Sequence, residues 1–336
     1  MKSEMVQNLW FPDGNIIIRV DATQICCVHK SVLAANSPVL SDMFSVPQPV
    51  GSETIDGLPV LTLPDSPQDV MYWLKSMLVP GDFEVYPRHI RMDKVLAVLR
   101  LGHKYGVQHL RQCALYHLST AFPIDQEGVE NIEDTTISDF HDVSVEQLLQ
   151  VNALAQEINA LWLIPFAMYQ LHTKTWSNKA AQQVLLESPL VTRLDLIRLA
   201  DVARVATIEF SLRDLTQFSR AELAACDHTG LSCCASIIRQ ILMESHKQLI
   251  ATPLTFLRLA TEDFLSEETM KYDTVHALIG TVLCSRCSKV VLSEIFWRAY
   301  RRFWDALARD LGLGFDRSHD MLMVQKRDTG VFEADA

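Results

Sequence analysis

The chain has 336 residues, a formal net charge of −11 and 49% hydrophobic residues. This length gives room for two domains, and the hydrophobic fraction excludes a disordered or fibrous chain. The longest uninterrupted apolar stretch, residues 161–168, is too short to cross a bilayer. The first ten residues lack the apolar core of a secretory signal. We therefore expect an intracellular protein, cytoplasmic or nuclear, whose cysteines stay reduced.

The first 120 residues predict a small sheet followed by helices. Two β-branched runs, residues 15–20 and 24–28, predict a hairpin. Ser37 predicts the N-cap of a short helix whose first residue is Pro38, since proline loses no needed N–H there. The pattern then predicts a strand at residues 60–63 and three helices. The first of these helices covers residues 67–78. The second ends before Gly106, and the third extends through Leu118.

An acidic stretch without lysine or arginine follows and predicts a solvated linker over residues 121–143. Between residues 119 and 150 its acids are Asp125, Glu127, Glu130, Glu133, Asp134, Asp139, Asp142 and Glu146. The domains expected on either side are residues 1–120 and 144–315, with residues 316–336 as a flexible tail.

Beyond the linker, apolar residues recur almost everywhere at the spacing of an α-helix. Ser144 and Gln147 have the spacing of a capping box, and Pro165 can begin another helix. Further helices are predicted around residues 194–199, 231–249 and 290–311. The fold class expected is an α+β domain followed by a mostly α-helical domain.

A run of motifs near the N-terminus resembles the hallmark of BTB/POZ domains, in which a strand leads into His-x-x-x-Leu, Ser-Pro and Met-Phe. Later motifs of this chain, including Leu-Gly-x-Lys-Tyr-Gly-Val, match motifs of the same family in the same order. The residues that carry the resemblance are Asp13, His29, Leu33, Ser37, Pro38, Met43, Phe44 and Tyr105. The C-terminal region is similar to the long BTB proteins common in fungi. The resemblance implies a small sheet covered by helical hairpins, and protein partners that include a second copy of the chain.

The chain differs in three ways from particular groups of BTB/POZ proteins, and each difference bears on which partner it binds. Members that recruit corepressors carry an acid and an arginine where this chain has Asn15 and Lys30. Cullin adaptors often carry a hydrophobic-x-Glu element that is missing between Ser45 and Glu53. Only ten residues precede Phe11, too few for the helix and strand that zinc-finger members exchange. We expect self-association through a shorter interface.

Four cysteines have spacings compatible with a zinc site: Cys226, Cys233, Cys284 and Cys287, with Cys234 able to replace Cys233. The favoured interpretation is reduced structural thiols with no cofactor, because buried free cysteines are common. No nucleophile elbow, phosphate loop or His-Glu-x-x-His is present.

The predicted function is a non-catalytic protein-interaction module that binds neither nucleic acid nor membrane. The alternative is a substrate adaptor of a cullin-based ubiquitin ligase. The least favoured candidate is a cysteine-dependent enzyme, which would need a thiol of depressed pKa.

Overall fold

The computed structural model describes residues 4–21, 24–47, 51–83, 89–125, 128–129, 132–176, 178–209 and 297–330. The chain divides into two compact units. Unit 1 comprises residues 1–121, 134–160 and 325–336, and unit 2 comprises residues 122–133 and 161–324. The sequence-based boundaries at residues 120, 143 and 315 stay predictions.

The secondary structure of unit 1 contains, in the predicted order, a hairpin, a short helix, a strand at residues 58–62 and three further helices. Its strands and helices are β1 (Glu4–Trp10), β2 (Ile16–Arg19), β3 (Gln24–Val28), α1 (Lys30–Asn36), α2 (Pro38–Ser45), β4 (Thr54–Ile55), β5 (Leu58–Thr62), α3 (Pro67–Leu78), α4 (Met92–Lys104), α5 (Gln108–Ala121) and α6 (Val145–Glu157). The α+β class expected for the N-terminal region is confirmed.

The sheet has the strand order β1-β3-β2-β5-β4. β2 and β3 form the predicted antiparallel hairpin, with Ile17 opposite Cys27. β5 lies parallel to β2. Before Phe11, where the sequence was expected to be too short for both an added helix and an added strand, Glu4–Trp10 forms a strand parallel to β3 of the same chain. That strand follows from pairing with a distant partner, because its own residues carry little apolar alternation.

The helices of unit 1 pack their apolar sides on the sheet and on one another. α4 is mostly buried and packs against α3, α5 and α6. Polar pairs attach α4 to α3 and to the turn that follows α3: Arg100 donates to Asp69 at 2.5 Å, and Lys94 donates to Asp82 at 2.8 Å.

The segment expected as a solvated linker differs from that expectation within unit 1. The backbone of Ile90 accepts from Ser138 N at 3.0 Å and donates to Thr136 O at 2.8 Å. Ile137 and Phe140 are buried. The carboxylate of Asp139 accepts from Met92 N, at the start of α4, at 2.8 Å. Asp139 therefore binds a helix end and Asp134 and Asp142 face solvent, while Ile137 and Phe140 between them are buried, so residues 134–142 form part of a folded segment.

Unit 2 is helical wherever it has regular structure in its described residues. Its helices are α7 (Ile164–Thr175), α8 (Lys179–Glu187), α9 (Arg193–Glu209) and α10 (Trp297–Asp310), and α11 (Ser318–Thr329) begins in it. An aromatic cluster of Phe166, Tyr169, Phe303 and Trp304 packs α7 against α10. The helix predicted at residues 231–249 lies outside the described residues, as does the start of the one predicted at 290–311. In its described residues, the region after the acidic stretch is helical, as predicted.

Two further features of unit 2 differ from what the sequence pattern indicates. α11 lies in the stretch expected to be a flexible tail, and its Met321 is fully buried. In α9 the charged residues Asp195 and Arg198 are buried, whereas Leu194 and Ile197 are exposed. Among the described residues no helix is long and apolar enough to cross a membrane.

Candidate interaction surface on the first helical hairpin

Four large apolar side chains lie exposed on α1, on α2 and at Val46, the residue that follows α2. Val32, Val39 and Met43 are each 39% exposed and Val46 is 61% exposed. Residues 39, 43 and 46 are spaced by four and three, so they share one side of α2. α1 packs against α2 and adds Val32. We call these four residues the apolar face; such exposure is typical of a surface that binds another protein.

The opposite sides of the same helices anchor the hairpin in unit 1. Leu33 of α1 is 0% exposed and Leu40 of α2 is 1% exposed. Each therefore contributes on the order of 1.5–3 kcal/mol through burial of a leucine side chain. The apolar face is thus carried by helices that are themselves part of the core.

Ser37 fixes the start of α2, as its sequence context predicts. Its hydroxyl accepts from Leu40 N at 3.0 Å and donates to Tyr105 O at 2.6 Å. Pro38 occupies the first helical position. Because Ser37 is fully buried, both bonds are shielded from water. One side chain caps α2 and ties it to the end of α4.

Tyr105 and Gly106 form the other half of this junction. Gly106 has φ +70°, and a Cβ there would lie 3.0 Å from Pro38 Cγ. The Tyr105 hydroxyl donates to Asp65 at 2.5 Å, and Asp65 also accepts from Lys104 Nζ at 2.6 Å. Burial, and then this hydrogen bond, raise the pKa of Tyr105. The sequence identified Tyr105, but not Asp65, which lies 40 residues away along the chain.

His29 and Asp13 lie at the entry to α1. His29 Nε2 is 3.3 Å from Asp13 Oδ1, and the imidazole lies 5.6 Å from the ring of Phe11. The His29 carbonyl accepts from Val32 N and Leu33 N. The backbone of His29 therefore begins the first turn of α1, and its structural role stays a prediction.

Asn15 and Lys30 take on local roles in the structure. The Asn15 side chain accepts from Lys30 N at 2.8 Å and so satisfies a free N–H at the start of α1. Lys30 Nζ lies 5.0 Å from the centre of the Phe44 ring and 3.4 Å from Phe44 O. Phe44 is half-buried beneath this ammonium group. The sequence pattern gave no signal for the Asn15 contact, because it depends on how strand and helix meet.

Asp42 is the other charged residue of the hairpin. Its position, three after Val39 and four before Val46, puts it on the same side of α2 as the apolar face. It is exposed, and its carboxylate forms no hydrogen bond or ion pair within the described part of the chain. The apolar face therefore also contains one acid.

Of the eight cysteines, the described residues include Cys26, Cys27 and Cys113. Burial raises the pKa of Cys26 to about 12, and burial also raises the pKa of Cys27 and Cys113. A thiol with a raised pKa is a poor nucleophile. The zinc candidates Cys226, Cys233, Cys284 and Cys287 lie outside the described residues. Within those residues no three His, Cys, Asp or Glu side chains are grouped to hold a metal ion.

Comparison with known protein families gives a match to the first part of the chain. Residues 13–121 match the family model of the BTB/POZ domain. No curated protein and no solved structure matches the chain. The matched range begins at Asp13, includes the junction of Ser37 with Tyr105, and ends at the last residue of α5.

Proposed function

The chain contains a BTB/POZ domain, a protein-interaction module, at residues 13–121, and we propose that it self-associates through the apolar face. The observation that carries the proposal is the set of four exposed apolar side chains on a hairpin held by buried contacts. Burying them between two copies removes apolar area from water without reorganising the helices. We expect this to take place inside the cell and to involve no bond chemistry.

The test removes apolar area from the face without adding charge. Sedimentation equilibrium of the full chain compares the wild type with Val39→Ser/Met43→Ser. We expect the variant's dimer dissociation constant to rise about tenfold or more, because each dimer loses four buried apolar groups.

The matched control for that test is Leu186→Ser/Met323→Ser, which changes two side chains that are 70% and 58% exposed elsewhere in the chain. The control should dimerise like the wild type. A wild type that is monomeric up to about 100 μM, well above the micromolar range of specific association, would contradict the proposal. A Val39→Ser/Met43→Ser variant that dimerises normally would do the same.

The second candidate function is a substrate adaptor of a cullin-based ubiquitin ligase. The division into two compact units favours it, since an adaptor needs one surface for the cullin and another for its substrate. Calorimetric titration with the N-terminal domain of a BTB-binding cullin is the test. Saturable binding that Val39→Ser/Met43→Ser abolishes would support the adaptor, and the absence of heat and of a complex would exclude it.

A further inference from the structure

An exposed methionine lies in the middle of the apolar face. Met43 comes four residues after Val39 and three before Val46, so it lies between them on one side of α2. We propose that Met43 is a modification site, where hydrogen peroxide oxidises the thioether to a sulfoxide and weakens self-association through the apolar face. The inference rests on the proposed function. Any partner that covers the face must also cover residue 43.

The reaction needs the thioether and the peroxide alone. A lone pair on Sδ attacks one peroxide oxygen, and the O–O bond breaks as the S–O bond forms. The proton of the attacked oxygen moves to the departing hydroxide, which leaves as water. The sulfur loses two electrons and the peroxide gains two. The product is a polar, chiral sulfoxide that methionine sulfoxide reductases convert back to methionine.

Exposure separates Met43 from the methionines of the core. Peroxide must contact the sulfur, and Met92 is fully buried, whereas Met43 is exposed. Met5 and Met323 are exposed as well, but they lie on β1 and α11 and not on the apolar face. Oxidation at those two positions leaves the face apolar, so they serve as references for the effect of oxidation elsewhere in the chain.

A sulfoxide at residue 43 would lose water on association without gaining a hydrogen-bond donor from this side of α2. The valines of the apolar face have no polar side-chain atoms, and the Asp42 carboxylate accepts hydrogen bonds but donates none. Lys30 is the one cation of α1 and α2, and its ammonium contacts Phe44, which the helical spacing puts on the other side of α2. Covering a polar group that has no donor opposes association.

The test compares dimerisation of the full chain before and after oxidation. Hydrogen peroxide treatment is stopped with catalase, and mass spectrometry of peptides measures the fraction of Met43 that is sulfoxide. Sedimentation equilibrium then gives the dissociation constant. We expect it to rise about tenfold or more in the wild type, because each dimer covers two sulfoxides. Treatment with the reductases for both sulfoxide epimers should return it to within about threefold of its starting value.

Two leucine variants assign the effect to one sulfur. Met43→Leu has no sulfur in the apolar face, so peroxide should leave its own dissociation constant unchanged, whatever that value is. Met323→Leu removes an exposed sulfur elsewhere and should respond to peroxide as the wild type does. Both variants keep every cysteine. A response that Met43→Leu shares would therefore come from another residue and would overturn the inference.

The remaining outcomes separate this inference from the proposed function. A wild-type dimer whose Met43 is oxidised, but whose dissociation constant is unchanged, would overturn the inference alone. An oxidised chain that loses its thermal unfolding transition would also overturn it, because dissociation would then follow from unfolding. A wild type that is monomeric before treatment would overturn the proposed function.

Discussion

At the scale of single residues, the junction beneath the apolar face depends on the hydroxyl of Ser37. That group makes one bond to the start of α2 and one to the end of α4, in a site closed to water. Its sequence context, Ser-Pro before an apolar spacing, was enough to predict the cap. The contact with Tyr105, 68 residues away, could not be predicted, because it depends on tertiary packing.

Ser37→Ala should destabilise the protein by about 2 kcal/mol, because a helix cap is lost and the buried Tyr105 carbonyl loses its donor. Urea unfolding of the full chain measures this change. Ser41→Ala, at an exposed position of the same helix, should change stability by less than about 0.5 kcal/mol. Equal effects of the two substitutions would show that the Ser37 contacts contribute little.

The thiol of Cys26 gives a pH-dependent prediction. Burial raises its pKa to about 12 from an ordinary value of 9.0. The unfolded chain therefore loses this proton at lower pH than the folded chain, so stability falls as pH rises above 9.0. Cys26→Ala lacks this dependence, and its unfolding free energy should decline less steeply between about pH 8 and pH 10.

Iodoacetamide modification followed by mass spectrometry checks the same group in the folded protein. Cys26 should react far more slowly in the native chain than in urea, since almost none of it is thiolate at neutral pH. Rapid native alkylation of Cys26 would contradict the raised pKa and reopen the case for a reactive thiol.

At the scale of elements, the sequence predicted those whose signals are local. α3 begins and ends where Pro67 and the apolar spacing indicate, and Ser144 forms its capping box with Gln147. β1 was not predicted, because the adjacent polar residues Gln7 and Asn8 interrupt the apolar alternation that indicates a strand. The strand forms by pairing with β3. The folded parts of residues 121–143 were not predicted, because the many acidic residues of this stretch indicated a solvated linker and the isoleucines between them were given little weight.

Asp139 carries a prediction at this scale, since its carboxylate binds the first N–H of α4 from 47 residues away. Asp139→Asn should cost about 1 kcal/mol, because a negative charge at a helix N-terminus is favourable. Asp142→Asn, an exposed acid in the same segment, is the matched control.

Hydrogen exchange of the Met92 amide, together with urea unfolding, measures the effect of Asp139→Asn. Faster exchange in Asp139→Asn and unchanged exchange in Asp142→Asn is the expected result. If exchange and unfolding were unchanged in both variants, the segment would not stabilise α4.

At the scale of the whole molecule, unit 1 extends well beyond the residues that match the BTB/POZ family. α6 packs on α4 and belongs to unit 1, although the acidic stretch separates it from α5 along the chain. The family resemblance predicted the fold of the matched range. It could not predict this addition, since α6 lies outside the motif.

A fragment of residues 1–160 should therefore unfold at higher urea than a fragment of residues 1–121, because the shorter one exposes the apolar surface that α6 covers. Circular dichroism during urea titration of both fragments measures the midpoints. Identical midpoints would show that α6 does not stabilise the residues before it.

The discontinuous make-up of unit 1 also affects the order in which the protein folds during synthesis. Its pieces are separated by residues 161–324, so the last piece leaves the ribosome after unit 2 has been translated. At typical elongation rates that delay is on the order of tens of seconds. Throughout that interval the sheet and the helices of residues 1–160 have been synthesised, but unit 1 still lacks its last piece.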